Sequence, residues 1–122
     1  MEKKMGSLKG KVAVVTGGSR GVGKGVALEL GEAGAIVYVT GRTTRDEERH
    51  LISGKTLPGT VTETAAEVTR LGGVGIPVGC NHRNDEEVKV LFDRVRNEQG
   101  KLDILVNNAY QWHESILSRK GF

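Results

Sequence analysis

The chain has 122 residues, a formal net charge of +3 and 18 glycines. Glycine is about twice as frequent as its usual share of roughly 7%, but it follows no collagen period and lies in no proline-rich tract, which excludes fibrous and disordered classes. No apolar run approaches the ~18 residues of a membrane span, and the N-terminus lacks the apolar core of a secretory signal. With Cys80 as the one cysteine, we expect a single soluble domain in a reducing, intracellular compartment.

The positive charge is concentrated near the N-terminus. Four lysines lie among the first eleven residues, at positions 3, 4, 9 and 11. Such a basic arm, residues 1–10, can contact nucleic acid or an anionic membrane, but solvated flanking charge is the simpler explanation. Because no aromatic stacking platform accompanies the charge, we expect no nucleic-acid partner.

Four short apolar runs alternate with three segments of helical periodicity. The runs predict strands at 12–16, 36–40, 75–80 and 102–107. The first is a continuous valine-rich run, typical of a strand that is buried on both faces. Pro77 indicates that the third strand lies at a sheet edge or carries a local defect, since proline cannot donate a ladder hydrogen bond. The stretch 43–59, between the second strand and the second helix, is predicted to be irregular.

The first predicted helix, 21–33, ends at Gly34, and the second begins at Thr60. Thr60 and Glu63 have the spacing of a capping box, and two glycines at 72–73 end the second helix. Apolar residues three or four positions apart predict one buried stripe on each helix. These stripes consist of Val22, Val26 and Leu30 in the first helix and Val61, Ala65 and Val68 in the second.

The third predicted helix has the clearest signals. Asn84 can cap its start, three acidic residues at 85–87 suit the positive end of the helix dipole, and Gly100 can end it. Its apolar face consists of Val88, Leu91, Phe92 and Val95. The elements therefore follow one another as β-α-β-α-β-α-β.

This alternation predicts an α/β fold with a parallel sheet and right-handed crossovers. In the doubly wound, Rossmann-like arrangement the strands lie in the order 3-2-1-4, with the first two helices on one face and the third on the other. Fifteen residues, 108–122, follow the fourth strand. We expect one nucleotide-binding domain over 1–122, truncated after that strand, with an irregular tail at 111–122. The open strand edge favours self-association or pairing with a partner.

The turn after the first strand reads Thr-Gly-Gly-Ser-Arg-Gly-Val-Gly over residues 16–23. A strand-turn-helix unit of this kind leaves backbone N–H groups unpaired at the helix start, where they and the helix dipole suit a pyrophosphate. Gly17 permits the sharp turn, Gly21 allows close approach of the phosphates, and Gly23 allows the helix to pack on the strand. The predicted cofactor-binding positions of this turn are Gly17, Ser19, Arg20, Gly21, Val22 and Gly23.

The spacing T-G-x-x-x-G-x-G resembles the short-chain dehydrogenase/reductase family, and a second family element follows the fourth strand as Asn107-Asn108-Ala109. The resemblance covers about residues 8–110 and implies that Asn107 and Ala109 line the cofactor site. The usual fourth residue of this element is glycine, whereas this chain has Tyr110. The long segment after the second strand and the aromatic residue after N-N-A are similar to a branch of the family called dehydrogenase/reductase member 1-like.

The second strand ends Thr40-Gly41-Arg42, without the carboxylate that NAD-binding proteins use to hold the ribose 2′-hydroxyl. A guanidinium suits a 2′-phosphate instead, and Arg20 can approach the same group. The sequence therefore favours NADP(H) over NAD(H), although either arginine can be a solvated surface residue.

The family resemblance implies an aspartate at the end of the third strand, near the adenine, where this chain has Asn81 followed by His82. We assign both to the cofactor site. The Asn81 amide oxygen can accept a hydrogen bond from the adenine amino group, but without the negative charge of an aspartate. Cys80 and His82 lack the further partners that a metal centre needs, so we expect no metal site.

The resemblance also implies hydride transfer between the cofactor and a carbonyl or alcohol, assisted by a serine and a Tyr-x-x-x-Lys pair. Here Arg42 stands four residues after Tyr38, and Glu114 stands four residues after Tyr110, so no catalytic residue is assigned. Three interpretations stay open: the nucleotide-binding half of an oxidoreductase, a non-catalytic NADP(H)-binding or partner-binding module, and an unstable fragment. We expect a cytoplasmic location; the resemblance also allows a peripheral place at the endoplasmic reticulum.

Overall fold

The computed structural model describes residues 6–18, 21–42, 51–52, 55–56 and 60–107. In chain order the elements are β1 (Val12–Thr16), α1 (Gly21–Glu32), β2 (Ile36–Gly41), β3 (Leu51–Ile52), β4 (Lys55–Thr56), α2 (Val61–Arg70), β5 (Val74–Gly79), α3 (Asp85–Gln99) and β6 (Ile104–Val106). Four strands form one parallel sheet in the order β5-β2-β1-β6. This is the predicted doubly wound order 3-2-1-4. The short antiparallel pair β3–β4 lies in the stretch that was expected to be irregular.

The sheet is covered on both faces because successive side chains of a strand point in opposite directions. Ala13 and Val15 pack with residues of α1 and α2 on one face. Val12 and Val14 pack on the other face, where α3 contributes its predicted apolar stripe of Val88, Leu91, Phe92 and Val95. The five residues of β1 are all buried. The predicted division of the helices between the two faces is confirmed.

The buried face of α1 is not the predicted one. Val22 is 74% exposed, whereas the residues that α1 buries are Gly23, Ala27 and Gly31. A Cβ added to Gly31 would lie 2.8 Å from Val68 Cγ1 and 3.0 Å from its Cα, so α1 and α2 pack too closely for a larger side chain. Close packing therefore selects the row of small residues. Of the predicted stripe, Val22 is exposed and Val26 and Leu30 are half-buried, with Leu30 packed against the cluster on this face.

The predicted helix ends are confirmed at several positions. The Thr60 side chain accepts the Glu63 N–H at 3.0 Å, and the Asn84 side chain accepts the N–H groups of Glu86 and Glu87 at 2.9 and 3.1 Å. Gly100 caps α3 with a left-handed φ of +75°. Pro77 lies in β5, at one end of the described sheet, as its missing N–H requires.

Part of the expected basic arm packs on the domain. The Leu8 N–H donates to the Ala33 carbonyl at 2.8 Å, and the Leu8 side chain packs against the cluster under α1 and α2. At the other end of the described sheet, the three residues of β6 are half-buried. Residues 1–5 of the arm and the tail 111–122 lie outside the described residues.

Candidate functional site

The strand order reverses at β1, since β2 lies on one side of it and β6 on the other. In open α/β sheets, ligands bind beyond the carboxyl ends of the strands at such a switch point. Thr16, the last residue of β1, is buried, and its hydroxyl lies 3.3 Å from the Val106 carbonyl and 3.5 Å from Asn107 Oδ1. The structure therefore brings two sequence-predicted elements, the glycine turn and Asn107, to one edge of the sheet.

Two of the described residues of the glycine turn lie in the left-handed region. Gly17 has a φ of +68° and Gly21 a φ of +66°, a backbone conformation that side chains with a Cβ disfavour. Within the described part of the chain, a Cβ added to Gly21 would meet no heavy atom within 4 Å. The backbone at Gly21 therefore borders open space, as a phosphate site needs.

Gly18 was not singled out from the sequence, but it holds the turn against β2. A Cβ added to Gly18 would lie 2.6 Å from Val39 Cγ1, and the Gly18 N–H donates to the Thr40 carbonyl at 3.0 Å. The available sequence signal was the second of two consecutive glycines directly after a buried strand.

The glycine turn leads directly into α1, which begins at Gly21. Its first-turn N–H groups have no partner within the helix, and Gly21 and Val22 are exposed while Gly23 is buried. Gly23 thus lies on the packed side of the helix, as its predicted role requires. Ser19, Arg20 and Ala109, also predicted to bind the cofactor, lie outside the described residues.

Arg42 directly follows β2 and is exposed at the same edge of the sheet. Thr40 and Gly41 are both buried. No carboxylate occurs in the segment 40–42, so the end of β2 presents a guanidinium and no acidic group of its own.

A tight turn follows β5 beside the end of β2. The Cys80 N–H donates to the Gly41 carbonyl at 2.8 Å, which joins the two strand ends. The Asn81 side-chain oxygen accepts the Arg83 N–H at 3.0 Å, and Glu87 Oε1 accepts the Asn81 N–H at 2.8 Å. Asn81, assigned above to the adenine, is thus half-buried and shapes the turn with one lone pair of its amide oxygen.

The His82 ring turns inward from this turn and is 8% exposed. Nε2 lies 2.8 Å from Thr40 Oγ1, and Nδ1 lies 3.8 Å from the Cys80 sulfur. The Thr40 hydroxyl donates to the Val15 carbonyl at 3.4 Å, so this pattern assigns the ring proton to Nε2, which donates to Thr40. With both ring nitrogens against protein atoms, the outward side of residue 82 is its backbone.

Burial keeps this group neutral. It lowers the pKa of His82 to about 4, against the opposing charge of Glu87. It also raises the pKa of the Cys80 thiol to about 12, so the thiol stays protonated and can donate weakly to Nδ1. Thr40, which the sequence reasoning missed, occupies the same register position in β2 as Thr16 in β1.

Tyr38 lies on the α3 face, away from the edge just described. Its hydroxyl donates to Glu98 Oε1 at 2.5 Å and accepts from Gln99 Nε2 at 3.1 Å, both at the C-terminal end of α3. Burial first, and then the hydrogen bond to Glu98, raise the pKa of Tyr38. The hydroxyl is held as a structural contact near the amino ends of the strands.

The described residues contain no group of three or more His, Cys, Asp or Glu side chains arranged to hold a metal ion. None of their helices is both long enough and apolar enough to cross a membrane.

Known proteins resemble this chain over most of its length. It is 48% identical over 112 residues to mouse dehydrogenase/reductase SDR family member 1, an alignment that covers 91% of the chain and 31% of that protein. A crystal structure of a short chain dehydrogenase from Mycobacterium thermoresistibile matches with a TM-score of 0.72 and 30% identity, over 84% of this chain and 34% of the other. A metagenomic short-chain oxidoreductase in complex with NADP matches with a TM-score of 0.69 and 33% identity, over 84% and 40%.

The chain thus spans about a third of the length of the curated relative it matches. The family model for short chain dehydrogenases matches residues 11–118, a range that includes the glycine turn, the sheet and the end of β6. The similarity to member 1 agrees with the branch indicated by the sequence. The chain belongs to the short chain dehydrogenase family.

Proposed function

We propose that the chain supplies the dinucleotide-binding half of an NADP(H)-dependent oxidoreductase that transfers hydride between the cofactor and a carbonyl or alcohol. The observation that carries this proposal is the edge at the end of β1, where the backbone at Gly21 borders open space at a helix start. Family membership supports the cofactor class. A relative of 33% identity was solved in complex with NADP.

The residues of the turn hold the phosphates of the cofactor. The N–H groups at the start of α1 are donors without helical partners, and the positive end of the helix dipole favours an anion there. Gly17 and Gly21 keep left-handed backbone angles, so that no side chain separates the amides from the ligand. NADPH, when bound, supplies the hydride.

Arg42 holds the 2′-phosphate at the adenosine end. Its position after the last residue of β2, with no acidic residue in 40–42, suits a ligand with negative charge at the ribose. Arg20 is expected to approach the same phosphate from the glycine turn.

The described residues bind and orient the cofactor but supply no proton donor for a carbonyl. Tyr38, the one tyrosine among them, is buried and donates its hydrogen bond to Glu98. Its hydroxyl lies on the α3 face, away from the edge at β1. We therefore expect binding without turnover in the 122-residue chain.

The cofactor assignment is tested with Arg42→Ala and the matched control Arg70→Ala, an exposed arginine on α2 that pairs with Glu67. Calorimetric titration should show NADPH affinity falling about tenfold in Arg42→Ala, with less than about twofold change for NADH, since one charge-assisted hydrogen-bonding group is worth about 1.5 kcal/mol or more. Arg70→Ala should bind both as the parent chain does. Equal losses for the two nucleotides would contradict the preference for NADP(H).

The absence of turnover is tested with the purified chain and a panel of carbonyl substrates. No NADPH oxidation is expected, while NADPH should raise the midpoint of a cooperative unfolding transition. NADPH oxidation by the pure chain would contradict the assignment of binding alone. A chain without any cooperative transition would favour an unstable fragment.

We also propose that the chain self-associates through β6. Within the described sheet β6 pairs with β1 alone, and its three apolar residues are half-buried; such an edge is a template for further pairing. Sedimentation should show a dimer that forms with increasing concentration. A monomer at every concentration would contradict this proposal.

A further inference from the structure

Thr40, near the carboxyl end of β2, contacts both the glycine turn after β1 and the turn after β5. Its carbonyl accepts the Gly18 N–H of the glycine turn at 3.0 Å. Its side-chain hydroxyl lies between the Val15 carbonyl of β1 and the His82 ring of the turn after β5. Arg42 follows two residues later. A shift of Thr40 would therefore displace residues at both the phosphate end and the adenosine end of the proposed site.

The His82 ring is the side chain that brings the turn 81–84 onto Thr40. The ring is 8% exposed and makes a 2.8 Å hydrogen bond from Nε2 to Thr40 Oγ1. Its other nitrogen faces Cys80 at 3.8 Å. Because a buried hydrogen-bond partner that is lost leaves the other group unsatisfied, the ring holds the turn in a single place.

Hydrogen bonds within the turn give it a defined shape, and the ring joins that turn to β2. The Asn81 side chain closes the turn onto Arg83, and the Asn84 N–H donates to the Asn81 carbonyl at 2.9 Å. The Asn81 N–H also donates to Glu87 Oε1 of α3 at 2.8 Å, so the turn is attached to α3 as well, and the ring supplies its side-chain hydrogen bond to β2. Release of the ring would therefore let the turn, with Asn81, shift relative to β2.

We propose that His82 is a positioning residue of the cofactor site: through its buried hydrogen bond to Thr40 it fixes the turn 81–84 and the end of β2 relative to each other, and so fixes Asn81 and Arg42 at the adenosine end. This rests on the proposed function, since it concerns the affinity of the same site. It differs from a ligand contact because the ring faces Thr40 and Cys80, and the ligand is reached through other residues.

The test compares His82→Leu, which removes the donor, with His82→Gln, whose side-chain N–H can replace Nε2. In calorimetric titrations of the 122-residue chain, His82→Leu should lower the affinity for NADPH about tenfold and the affinity for NADH about threefold. The two losses differ because Arg42 contributes to the binding of NADPH alone. The ratio of the two affinities should therefore fall about threefold. His82→Gln should keep both affinities within about threefold of the parent chain.

A purely structural role gives a different result. If the ring only stabilises the fold, a variant loses both affinities by one common factor, set by its folded fraction, and the ratio is unchanged. An unchanged ratio with a folded His82→Leu variant would overturn the proposal. A parent chain that does not bind NADPH would instead contradict the proposed function.

Thr40 provides the second route if His82→Leu does not fold. Thr40→Val removes the hydroxyl at nearly constant shape, and Thr40→Ser retains it. The valine variant should reproduce the fall in the affinity ratio, and the serine variant should not. An unchanged ratio of the two affinities in a folded Thr40→Val variant would overturn the proposal.

The Thr40–His82 hydrogen bond itself can be measured without a ligand. Long-range ¹H–¹⁵N spectra of the parent chain at pH 7 should show a neutral His82 with its proton on Nε2, and slow amide exchange at 80–84 that is lost in Thr40→Val. A charged ring, or a proton on Nδ1 with exchange unaffected by Thr40→Val, would overturn the proposal whatever the chain binds.

Discussion

The two halves of the carboxyl edge are built differently. Above β1 the edge consists of glycine backbone: Gly17 and Gly21 have left-handed angles, and the space at Gly21 is open in the described part of the chain. Above β2 and β5 the chain fills the edge with the side chains of Thr40, His82 and Cys80, all buried. Glycine backbone and packed side chains thus lie side by side at one edge of the sheet.

This difference suits the two ends of a dinucleotide. A pyrophosphate is recognised by backbone N–H groups and the dipole of a helix, and these need only that no side chain blocks the approach of the ligand. An adenosine end is recognised by a few polar groups that must be held in position, and packing supplies that rigidity. The two halves should therefore respond to different substitutions.

The largest expected effect is at the glycine turn above β1. Gly21→Val places a β-branched side chain at a φ of +66° and directs it into the space that the phosphates need. NADPH affinity should fall about 100-fold or more, since two or more charge-assisted hydrogen bonds are lost. Gly25→Ala, in the same helix, is the control and should bind as the parent chain does. Calorimetric titration measures both, and normal binding by Gly21→Val would contradict the site.

The packed half should show a pH dependence of stability. The pKa of His82 is lowered to about 4 from 6.5, so the unfolded chain binds more protons between these values. The free energy of unfolding should therefore fall as pH decreases from 6.5 to 4, by about 2–3 kcal/mol. Cys80 and Glu87 are the titratable groups that face the ring. Denaturant unfolding from pH 7 to 4 measures the slope.

The control for that slope is His82→Gln, which cannot titrate. Other carboxylates with lowered pKa values, such as Asp103 under its hydrogen bond from Val12, contribute equally to both chains and cancel in the difference. Parallel stability curves for the parent chain and His82→Gln would contradict a buried neutral histidine.

The smallest expected effect concerns the start of α3. Asn84→Ala removes an acceptor for two N–H groups and should lower the free energy of unfolding by about 1 kcal/mol. NADPH affinity should change less than about twofold, because the ring of His82 rather than the cap holds the turn. Asn97→Ala, an exposed change within α3, is the control. A loss of affinity as large as that of His82→Leu would assign the positioning to the cap.

The sequence predicted the sheet and its order well because the relevant signals are local. Valine-rich runs, the Thr60 and Asn84 caps and Gly100 each act within a few residues, and the alternation of elements permits few topologies. The buried face of α1 was predicted wrongly because the prediction favoured large apolar residues, whereas the close approach of α1 and α2 requires small ones. The available signal was the row Gly23, Ala27 and Gly31, small residues four apart, which permits the contact with Val68.

The site was predicted only where backbone decides it. The glycine turn and its place at the switch point follow from spacing and from strand order. The Thr40–His82 hydrogen bond joins residues 42 positions apart, and no local pattern states whether a histidine after a strand turns inward or outward. Gly18 was missed for a related reason, since its neighbour Val39 lies on another strand.

Mapping of amide chemical shifts tests the central assignment most directly. On addition of NADPH to the ¹⁵N-labelled chain, the largest shifts should occur at 17–18, 21–23, 42 and 107, along the carboxyl edge. The amides around Glu98 and Gln99, at the opposite edge beside Tyr38, should stay in place. Saturable shifts confined to that opposite edge, or spread over the exposed face of α3, would show that the nucleotide binds elsewhere.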